Sequence, residues 1–273
     1  MANRQLRIIV FGAHPDDCDV KAGGVAALWT RQGNVVKFVS VTNGDAGHHE
    51  IGGVELARRR KAEAEAAGRV IGIEYQVLDI HDGELEPTLP NRRRVIQLIR
   101  EFQPDLIMSP RPNDYHPDHR YTSILVQDAA YMVTVPNIAA HTPHLRINPS
   151  ICYLSDHFQK PYPFTPDVVV GIDDVVSLKM DMAHCHVSQM YEWLPYNGRY
   201  EDQVPEGDAE RRRWLEGRRS GGREIANRYR AKLVELYGEQ RGNTIQFAEA
   251  FEACEYGSPV TREKIAEMFP FFG

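Results

Sequence analysis

Apolar and polar positions alternate in blocks along the first half of the chain. Several short, nearly continuous apolar runs are typical of strands that are buried on both faces. These runs cover residues 6–11, 35–41, 75–78 and 106–108. Between them lie segments with helical spacing, such as Val95, Ile99 and Phe102 at i, i+4 and i+7. Strands that alternate with helices through short connections predict right-handed βαβ units and a mainly parallel sheet.

Glycine, proline and polar residues predict where these elements begin and end. We expect Gly23 and Gly24 to open the first helix, and Asn91 to cap the helix that carries Val95. After residue 136 the pattern is less regular, with candidate strands at 151–154 and 168–172 and a helix near 175–189. A charged helical stretch follows at 208–237, and Gly221 and Gly222 are expected to break it.

These elements together predict an α/β fold. We expect a Rossmann-like, mainly parallel sheet flanked by helices, in a single domain with a C-terminal helical extension. The core is assigned to residues 1–190 and the extension, packed on the same domain, to residues 191–273.

Composition narrows the class of protein. The 273 residues include 38 Asp and Glu against 32 Lys and Arg, and the net charge of −6 argues against a general nucleic-acid binder. No apolar run reaches the roughly 18–20 residues of a membrane span, and no secretory signal is visible at the start. The four cysteines are far apart and include no C-x-x-C pair. This spacing excludes a cysteine zinc cluster, disfavours a disulfide framework and predicts a cytoplasmic protein.

Two groups of metal-competent side chains follow predicted strands. The first is the run His14-Pro15-Asp16-Asp17, directly after the first strand, and the second is His116-Pro117-Asp118-His119, after the strand at 106–108. Ligands of parallel α/β sheets bind at the carboxyl ends of the strands. Either group alone fits ordinary Asx-turn chemistry, but two such groups at strand ends predict a metal site.

The spacing within these groups limits their roles. In a helical turn, residues at i and i+3 such as His14 and Asp17 can face one ion, and Asp16 between them then stays free. With His119 they form two histidines and one carboxylate with an open position, a set that suits catalytic zinc and also non-haem iron. The spare carboxylate favours hydrolysis, because a metal-activated water needs a general base.

The sequence resembles the PIG-L/LmbE-like de-N-acetylases, zinc enzymes that remove acetyl groups from N-acetylglucosamine conjugates. The resemblance rests on AHPDD at 13–17, AGG at 22–24, TNGDAG at 42–47 and HPDH at 116–119. Arg60-x-x-Glu63, Lys179 and His186-Val187-Ser188-Gln189 extend it, so that it covers roughly residues 6–190.

The resemblance implies one Zn²⁺ per chain, or another divalent metal such as Fe²⁺, on His14, Asp17 and His119. It implies Asp16 as the general base that takes the proton of the attacking water. It also implies an N-acetylated amino-sugar conjugate as substrate and a homo-oligomer, trimeric or hexameric.

The resemblance assigns further roles in and beside the second motif. His116 is expected, as an imidazolium, to stabilise the oxyanion and protonate the leaving amine, and Asp118 to orient and charge that histidine. Arg60 matches a position that contacts sugar hydroxyls, although a helix-surface pairing with Glu63 explains its spacing equally well. Candidate substrate contacts beside His116 are Asn113, Asp114 and Tyr115.

Other functions stay open at this point. A metal-dependent hydrolase of another amide or acyl group is the main alternative, followed by a non-haem iron oxygenase. A nucleotide-binding Rossmann module is disfavoured because FGAHPDD replaces G-x-G-x-x-G after the first strand. The arginine-rich helix at 208–230 and the His48-His49 loop are interpreted as surface features, and the aromatic segment 191–200 is either a sugar-stacking surface or cover for the sheet.

Overall fold

A computed structural model describes residues 4–219 and 221–272. The strands in these residues are β1 Arg7–Gly12, β2 Val35–Ser40, β3 Glu74–Val77, β4 Leu106–Ser109, β5 Ser150–Leu154, β6 Val168–Gly171 and β7 Ala248–Cys254. The helices are α1 Asp17–Arg31, α2 Gly53–Ile71, α3 Leu89–Phe102, α4 Pro117–Met132, α5 Val176–Cys185, α6 Leu194–Gly198, α7 Asp208–Arg218, α8 Arg223–Arg228, α9 Arg230–Tyr237, α10 Glu239–Thr244 and α11 Arg262–Met268. A π-helical turn, Ser188–Trp193, connects α5 to α6.

The strands form one sheet in the order β3-β2-β1-β4-β5-β7-β6. The first five are parallel neighbours, and β7 pairs antiparallel with both β5 and β6. The chain runs outward from β1 to β3 and then returns to place β4 on the other side of β1. The predicted α/β class with a mainly parallel sheet is therefore confirmed.

Helices cover both faces of this sheet, as the unbroken apolar strands predict. Ile8 and Val10 of β1 face a core that is closed by α1, α2 and the C-terminal segment. Their neighbours Ile9 and Phe11 point the other way, into a core closed by α3 and α4. All four side chains are fully buried, so β1 is covered on both faces.

Two predicted helix starts are wrong. Helix α1 begins at Asp17, and Gly24 lies inside it. A Cβ at position 24 would come within 2.8 Å of the Ile172 side chain, so the close packing of the helix explains the glycine. Helix α3 begins at Leu89, and its N-cap is Thr88, whose hydroxyl accepts a bond from the amide of Asn91. In both cases the sequence offered a good local signal, but packing or a better cap decided the boundary.

The C-terminal extension is helical over α7–α10 and broken near Gly221 and Gly222, as predicted. It also contributes β7, which the sequence did not predict, between β5 and β6. Beyond β7, Phe269 and Phe271 pack on the ring of Trp29 in α1. The extension thus shares the sheet and the core with the first 190 residues. The division at residue 190 stays a prediction, and its outer ends, residues 1–3 and 273, lie outside the described residues.

Among the helices of the described residues, none combines the length and the apolar character that crossing a bilayer requires.

Candidate active site

The two metal-competent motifs meet at the point where the strand order of the sheet reverses. His14 follows β1, and His116 precedes α4 in the loop after β4. Strands β1 and β4 are parallel neighbours, while β2 lies on the other side of β1. The crevice at the carboxyl ends of such a strand pair is the usual ligand site of open α/β sheets.

The turn after β1 is held by the carboxylate of Asp17. Its Oδ2 accepts hydrogen bonds from the amides of Ala13, 2.9 Å away, and His14, 2.8 Å away. Between His14 and Asp17, Asp16 has φ 155° and ψ −21°, a conformation that L-residues rarely adopt. Such strain persists where surrounding structure imposes it, and it concentrates at functional sites.

His14, Asp17 and His119 present one atom each to a common point. His14 Nδ1 lies 3.2 Å from His119 Nε2 and 3.5 Å from Asp17 Oδ2, and the last two atoms are 3.3 Å apart. A tetrahedral ion with bonds of about 2.0–2.2 Å sets its ligand atoms roughly 3.3–3.6 Å apart. The three residues therefore fit a divalent ion such as zinc, and they form one of the groups in the described chain able to hold a metal.

Carboxylates fix the far sides of both histidines. His14 Nε2 lies 3.2 Å from Asp118 Oδ2 and 3.1 Å from Asp82 Oδ1. His119 Nδ1 lies 3.1 Å from Asp114 Oδ2. Carboxylates in these places make each ring donate outward, so that His14 Nδ1 and His119 Nε2 keep lone pairs for an ion.

The electrostatics of this cluster favour positive charge. Burial lowers the pKa of His14, but bonds to Asp118, Asp17 and Asp82 outweigh it and raise that pKa well above its ordinary value. The pKa of His119 is raised as well: burial lowers it, but the charge of Asp17 outweighs the effect of burial. Protons on the imidazoles or a divalent ion would satisfy the same excess of carboxylate.

Asp16 stands beside the three ligand atoms and pairs with Arg60. Its Oδ1 accepts a hydrogen bond from Arg60 Nη2 at 3.0 Å. Burial raises the pKa of the Asp16 carboxyl, and the Arg60 guanidinium partly counteracts that rise. Asp16 is thus a partly buried carboxylate with a pKa above the ordinary range, as expected of a general base.

Arg60 is not on the helix surface. It is only 2% exposed, and it donates to the backbone oxygens of Gly44 and Pro15 as well as to Asp16. Glu63 instead accepts bonds from Arg59 and from Ser188. The alternative pairing of Arg60 with Glu63 is therefore wrong.

His116 caps α4, and its Nδ1 accepts the amide proton of Asp118 at 3.2 Å. Burial and the nearby charge of His14 lower the pKa of His116. With Nδ1 occupied as an acceptor, the neutral ring carries its proton on Nε2. The Asp118 carboxylate lies 4.0 Å from His116 Nδ1, farther than from His14, so its expected role in orienting His116 stays a prediction.

A cavity of about 380 Å³ opens over this cluster. Its buried part contains His14, Asp16 and Asp17, with Arg60 and His116 beside them. A volume of this size is within the range of small-molecule sites. Its more exposed lining is Ala46, Gly47, Tyr115, Trp193, Leu194 and Asn197.

The candidate substrate contacts separate into two groups. Arg60 and Tyr115 line the cavity. Asn113 is turned away, and its amide donates to the backbone oxygens of Lys160 and Tyr162. Asp114 is tied to His119. Arg60 and Tyr115 as substrate contacts stay predictions, and the guanidinium of Arg60 is already bonded to Asp16 and to two backbone oxygens. Asp114 is placed to orient a ligand histidine instead.

Asp82 belongs to the site, although the sequence did not single it out. It follows β3, lines the cavity and contacts His14, and its other oxygen lies 3.8 Å from Arg60 Nη1. The signal available was the run His81-Asp82-Gly83, an acidic residue in a turn beyond a strand. That strand is two positions from β1 in the sheet, so only the loop path brings Asp82 to the crevice.

The chain is similar to known deacetylases. Residues 9–130 match the family model described as PIG-L, GlcNAc-PI de-N-acetylase. The chain is 29% identical to diacetylchitobiose deacetylase of Thermococcus kodakarensis over 205 residues, covering 71% of this chain and 76% of that protein. The solved N,N'-diacetylchitobiose deacetylase from Pyrococcus horikoshii, at 24% identity, superposes with a TM-score of 0.69 over 91% of this chain and 84% of that one.

Proteins with another reaction share the fold. The chain is 25% identical to 4-oxalmesaconate hydratase of Pseudomonas putida over 206 residues, 72% of this chain and 79% of that protein. A solved 4-carboxy-2-hydroxymuconate hydratase from that species superposes with a TM-score of 0.70 at 20% identity, covering 91% and 96% of the two chains. The fold alone therefore does not select the reaction.

The resemblance predicted from the two motifs is confirmed: residues 9–130 match the PIG-L family model, and both motifs of the candidate site, residues 13–17 and 116–119, fall within the matched residues.

Proposed function

We propose that this protein is a zinc-dependent deacetylase that removes the acetyl group from an N-acetylglucosamine conjugate or a related N-acetylhexosamine conjugate. The observation that carries the proposal is the triangle of His14, Asp17 and His119 with the unligated carboxylate of Asp16 beside it. The family match and the deacetylases among the relatives support the same reaction.

His14, Asp17 and His119 would hold the metal. A bound divalent ion supplies Lewis acidity, since it polarises the amide carbonyl and lowers the pKa of a water to about 7. Asp82, Asp114 and Asp118 fix the directions of the two histidines, as the contacts above require.

Asp16 acts on the attacking water. Its Oδ1 is fixed by Arg60, and its carboxylate borders the cavity beside the ligand atoms. It takes one proton from the water as the oxygen attacks the acetamide carbon. The raised pKa of Asp16 makes it a stronger base than an exposed aspartate, and the proton it gains is available for the second half of the reaction.

His116 acts on the departing group. Its Nε2–H donates a hydrogen bond to the oxygen that becomes negative as the carbonyl carbon turns tetrahedral. The C–N bond then breaks, and the Nε2 proton of His116 passes to the leaving amine. The proton that Asp16 took from the water returns to His116. Acetate and the free amino sugar are the products, so that one water is consumed for each amide cleaved.

The charge of the cavity favours an uncharged substrate. A hydratase substrate such as 4-oxalmesaconate carries several carboxylates, which require cations for recognition. Arg60 is the single arginine among the lining residues of the described chain, and it is already held by Asp16 and two backbone oxygens. Asp16, Asp17 and Asp82 would repel such a substrate. The neutral acetamide and hydroxyls of an N-acetyl sugar match this lining better.

The test is acetate release. The zinc-loaded protein should deacetylate at least one member of a panel of N-acetylglucosamine conjugates, and a chelator should abolish the activity until zinc is restored. Simple amides, acyl esters and 4-oxalmesaconate belong in the same panel. Turnover of one of these, with no N-acetyl sugar cleaved, would replace the proposal by another metal-dependent reaction on this fold.

A cytoplasmic location and assembly into trimers or hexamers stay predictions. Cell fractionation and light scattering check them.

A further inference from the structure

Part of the cavity wall is aromatic and has no task in the reaction proposed above. Trp193 lines the cavity beside Leu194 and Asn197. Its ring is stacked with that of Tyr196, with centroids 6.1 Å apart and planes 26° apart. Tyr196 in turn lies flat on His49, at 4.0 Å and 8°. We call Trp193, Tyr196 and His49 the aromatic platform.

The aromatic platform is anchored through Glu192, the residue before Trp193. The Glu192 carboxylate accepts two hydrogen bonds from Arg59 of α2, at 2.7 and 2.6 Å, and one contact of 2.9 Å from His48 Nε2. Gln189 Nε2 donates to the backbone oxygen of Gly47 at 2.9 Å. These contacts join the loop that carries His49 to the π-helical turn that carries Trp193. The rings are therefore set in place before a ligand arrives, which lowers the entropy cost of binding.

The segment that carries the platform does not cover the sheet. Tyr191 is buried, and it bonds to His184 and packs near Trp214. Trp193, in contrast, borders the cavity, and Tyr196 is 47% exposed. The segment thus has one residue that secures it to the protein and one ring, that of Trp193, at the cavity, with Tyr196 and His49 stacked behind it.

The chemistry of the platform fits a carbohydrate ring. Aromatic faces carry partial negative charge and bind groups whose hydrogens are partially positive, such as the C–H face of a pyranose. The neighbouring Asn197 amide and the polar groups around Gly47 can meet hydroxyls at the edge of that ring. An acyl chain would instead need a continuous apolar channel, which the alternation of rings and polar groups does not offer.

We propose that the aromatic platform is a binding subsite for a second sugar ring, joined to the N-acetylglucosamine unit that reacts over His14, Asp17 and His119. The proposal rests on the proposed function, since it places the reacting sugar at that cluster. It makes Trp193 a specificity-determining residue that distinguishes two-ring from one-ring substrates.

Binding measurements test the subsite separately from turnover. NMR titrations use zinc-loaded Asp16→Asn protein, which keeps both sugars intact, with N-acetylglucosamine and with N,N'-diacetylchitobiose. We expect the disaccharide to bind more tightly. Trp193→Leu should weaken disaccharide binding about 5- to 10-fold and leave the monosaccharide unchanged, while Trp193→Phe, which keeps a ring face, should recover part of the loss. Tyr131→Ala, at an exposed aromatic residue of α4 that does not line the cavity, is the control and should change neither.

Three results would overturn the subsite: equal affinity for the two sugars, equal loss of both in Trp193→Leu, or tighter binding of an octyl glycoside of N-acetylglucosamine than of the disaccharide. The wild-type acetate assay reports on the proposed function independently. Disaccharide binding that depends on Trp193, without acetate release from any sugar, would keep the subsite and remove the deacetylase. Acetate release, with disaccharide binding that does not depend on Trp193, would keep the deacetylase and remove the subsite.

Discussion

The Asp16 carboxylate and the Arg60 guanidinium form a partly buried ion pair, with Oδ1 and Nη2 3.0 Å apart, between residues 44 positions apart in the chain. Asp16 ends the turn after β1, and Arg60 belongs to α2. The pair connects the reacting group to the glycine-rich loop, because Arg60 also donates to the backbone oxygen of Gly44. Arg60 thus helps to set both the position and the pKa of Asp16.

Replacing Asp16 with asparagine tests its role as base. The amide keeps the size of the side chain and a hydrogen-bond acceptor for Arg60, but it takes no proton. We expect Asp16→Asn to bind one zinc per chain and to lose at least ~100-fold in kcat for acetate release, the scale of general acid–base catalysis. Metal content and kcat are measured on the same preparation, and undiminished kcat with normal zinc would remove the assignment.

Removing the charge of Arg60 should shift the pH profile. Burial raises the pKa of Asp16 and Arg60 holds it down, so the pKa rises further in Arg60→Gln. Since Asp16 must be deprotonated to act, the acidic limb of kcat/KM is expected to move to higher pH. Arg60→Lys keeps a charge and should move the limb less. A limb that stays in place in Arg60→Gln would show that another group controls it.

Asp114 and its neighbour Asn113 separate metal binding from substrate contact. Asp114 Oδ2 lies 3.1 Å from His119 Nδ1, whereas Asn113 faces the backbone of residues 160–162. Loss of a carboxylate that orients a ligand histidine typically costs 10–100-fold in metal affinity. Asp114→Asn should show that loss in a competition titration with a chelating dye, and Asn113→Ala should not. Unchanged affinity in Asp114→Asn with a raised KM would make Asp114 a substrate contact instead.

Gly44 and Gly33 offer a matched pair for the Arg60 contact. Both have positive φ, +71° and +80°, so alanine strains the backbone at each by about 1–3 kcal/mol. A Cβ at Gly44 would also lie 2.5 Å from Arg60 Nη1, whereas at Gly33 it meets nothing within 4 Å. Gly44→Ala should therefore lower Tm further than Gly33→Ala and reproduce the pH shift of Arg60→Gln. Identical behaviour of the two variants would show that the loop adapts without moving Arg60.

The buried pair of His186 and Asp19 makes stability depend on pH. His186 Nε2 lies 2.9 Å from Asp19 Oδ2, and both side chains are fully buried. Burial opposes charge on His186, but Asp19 outweighs it and raises its pKa in the folded state. Its stabilisation is therefore complete below the unfolded value of about 6.5 and is lost as pH rises through the higher folded value.

The expected measurement is the difference in Tm between wild type and His186→Gln, taken at pH 6 and pH 8.5 with zinc present. The Tm of the wild type should exceed that of His186→Gln by more at pH 6 than at pH 8.5. A Tm difference that is constant or grows with pH would mean that His186 is neutral in the folded protein. Lys37→Gln, which removes an ion pair between β2 and β3 that involves no histidine, is the control and should show no such trend.

Local patterns determined the class of fold and the position of the chemistry. The apolar runs of β1 and β4 require cover on both faces, which forces a layered α/β arrangement, and the polar motifs can then lie only at strand ends. The ligand triangle could also be anticipated, because His14 and Asp17 share one turn and His119 belongs to the motif that follows the next parallel strand of the core, β4. The sequence predicted the ends of helices less accurately, as the wrong starts expected at Gly24 and Asn91 illustrate.

Only the tertiary structure decided which distant groups meet. Strand order places β4 beside β1 and so brings His119 to His14, 105 residues earlier. The path of the loop after β3 adds Asp82, and the burial of α2 turns Arg60 from a surface residue into the partner of Asp16. Sequence spacing fixes contacts only within a few residues, where the backbone geometry is known. Contacts between elements depend on how whole faces pack, and sequence spacing does not reveal that Asp82 and Trp193 reach the same cavity.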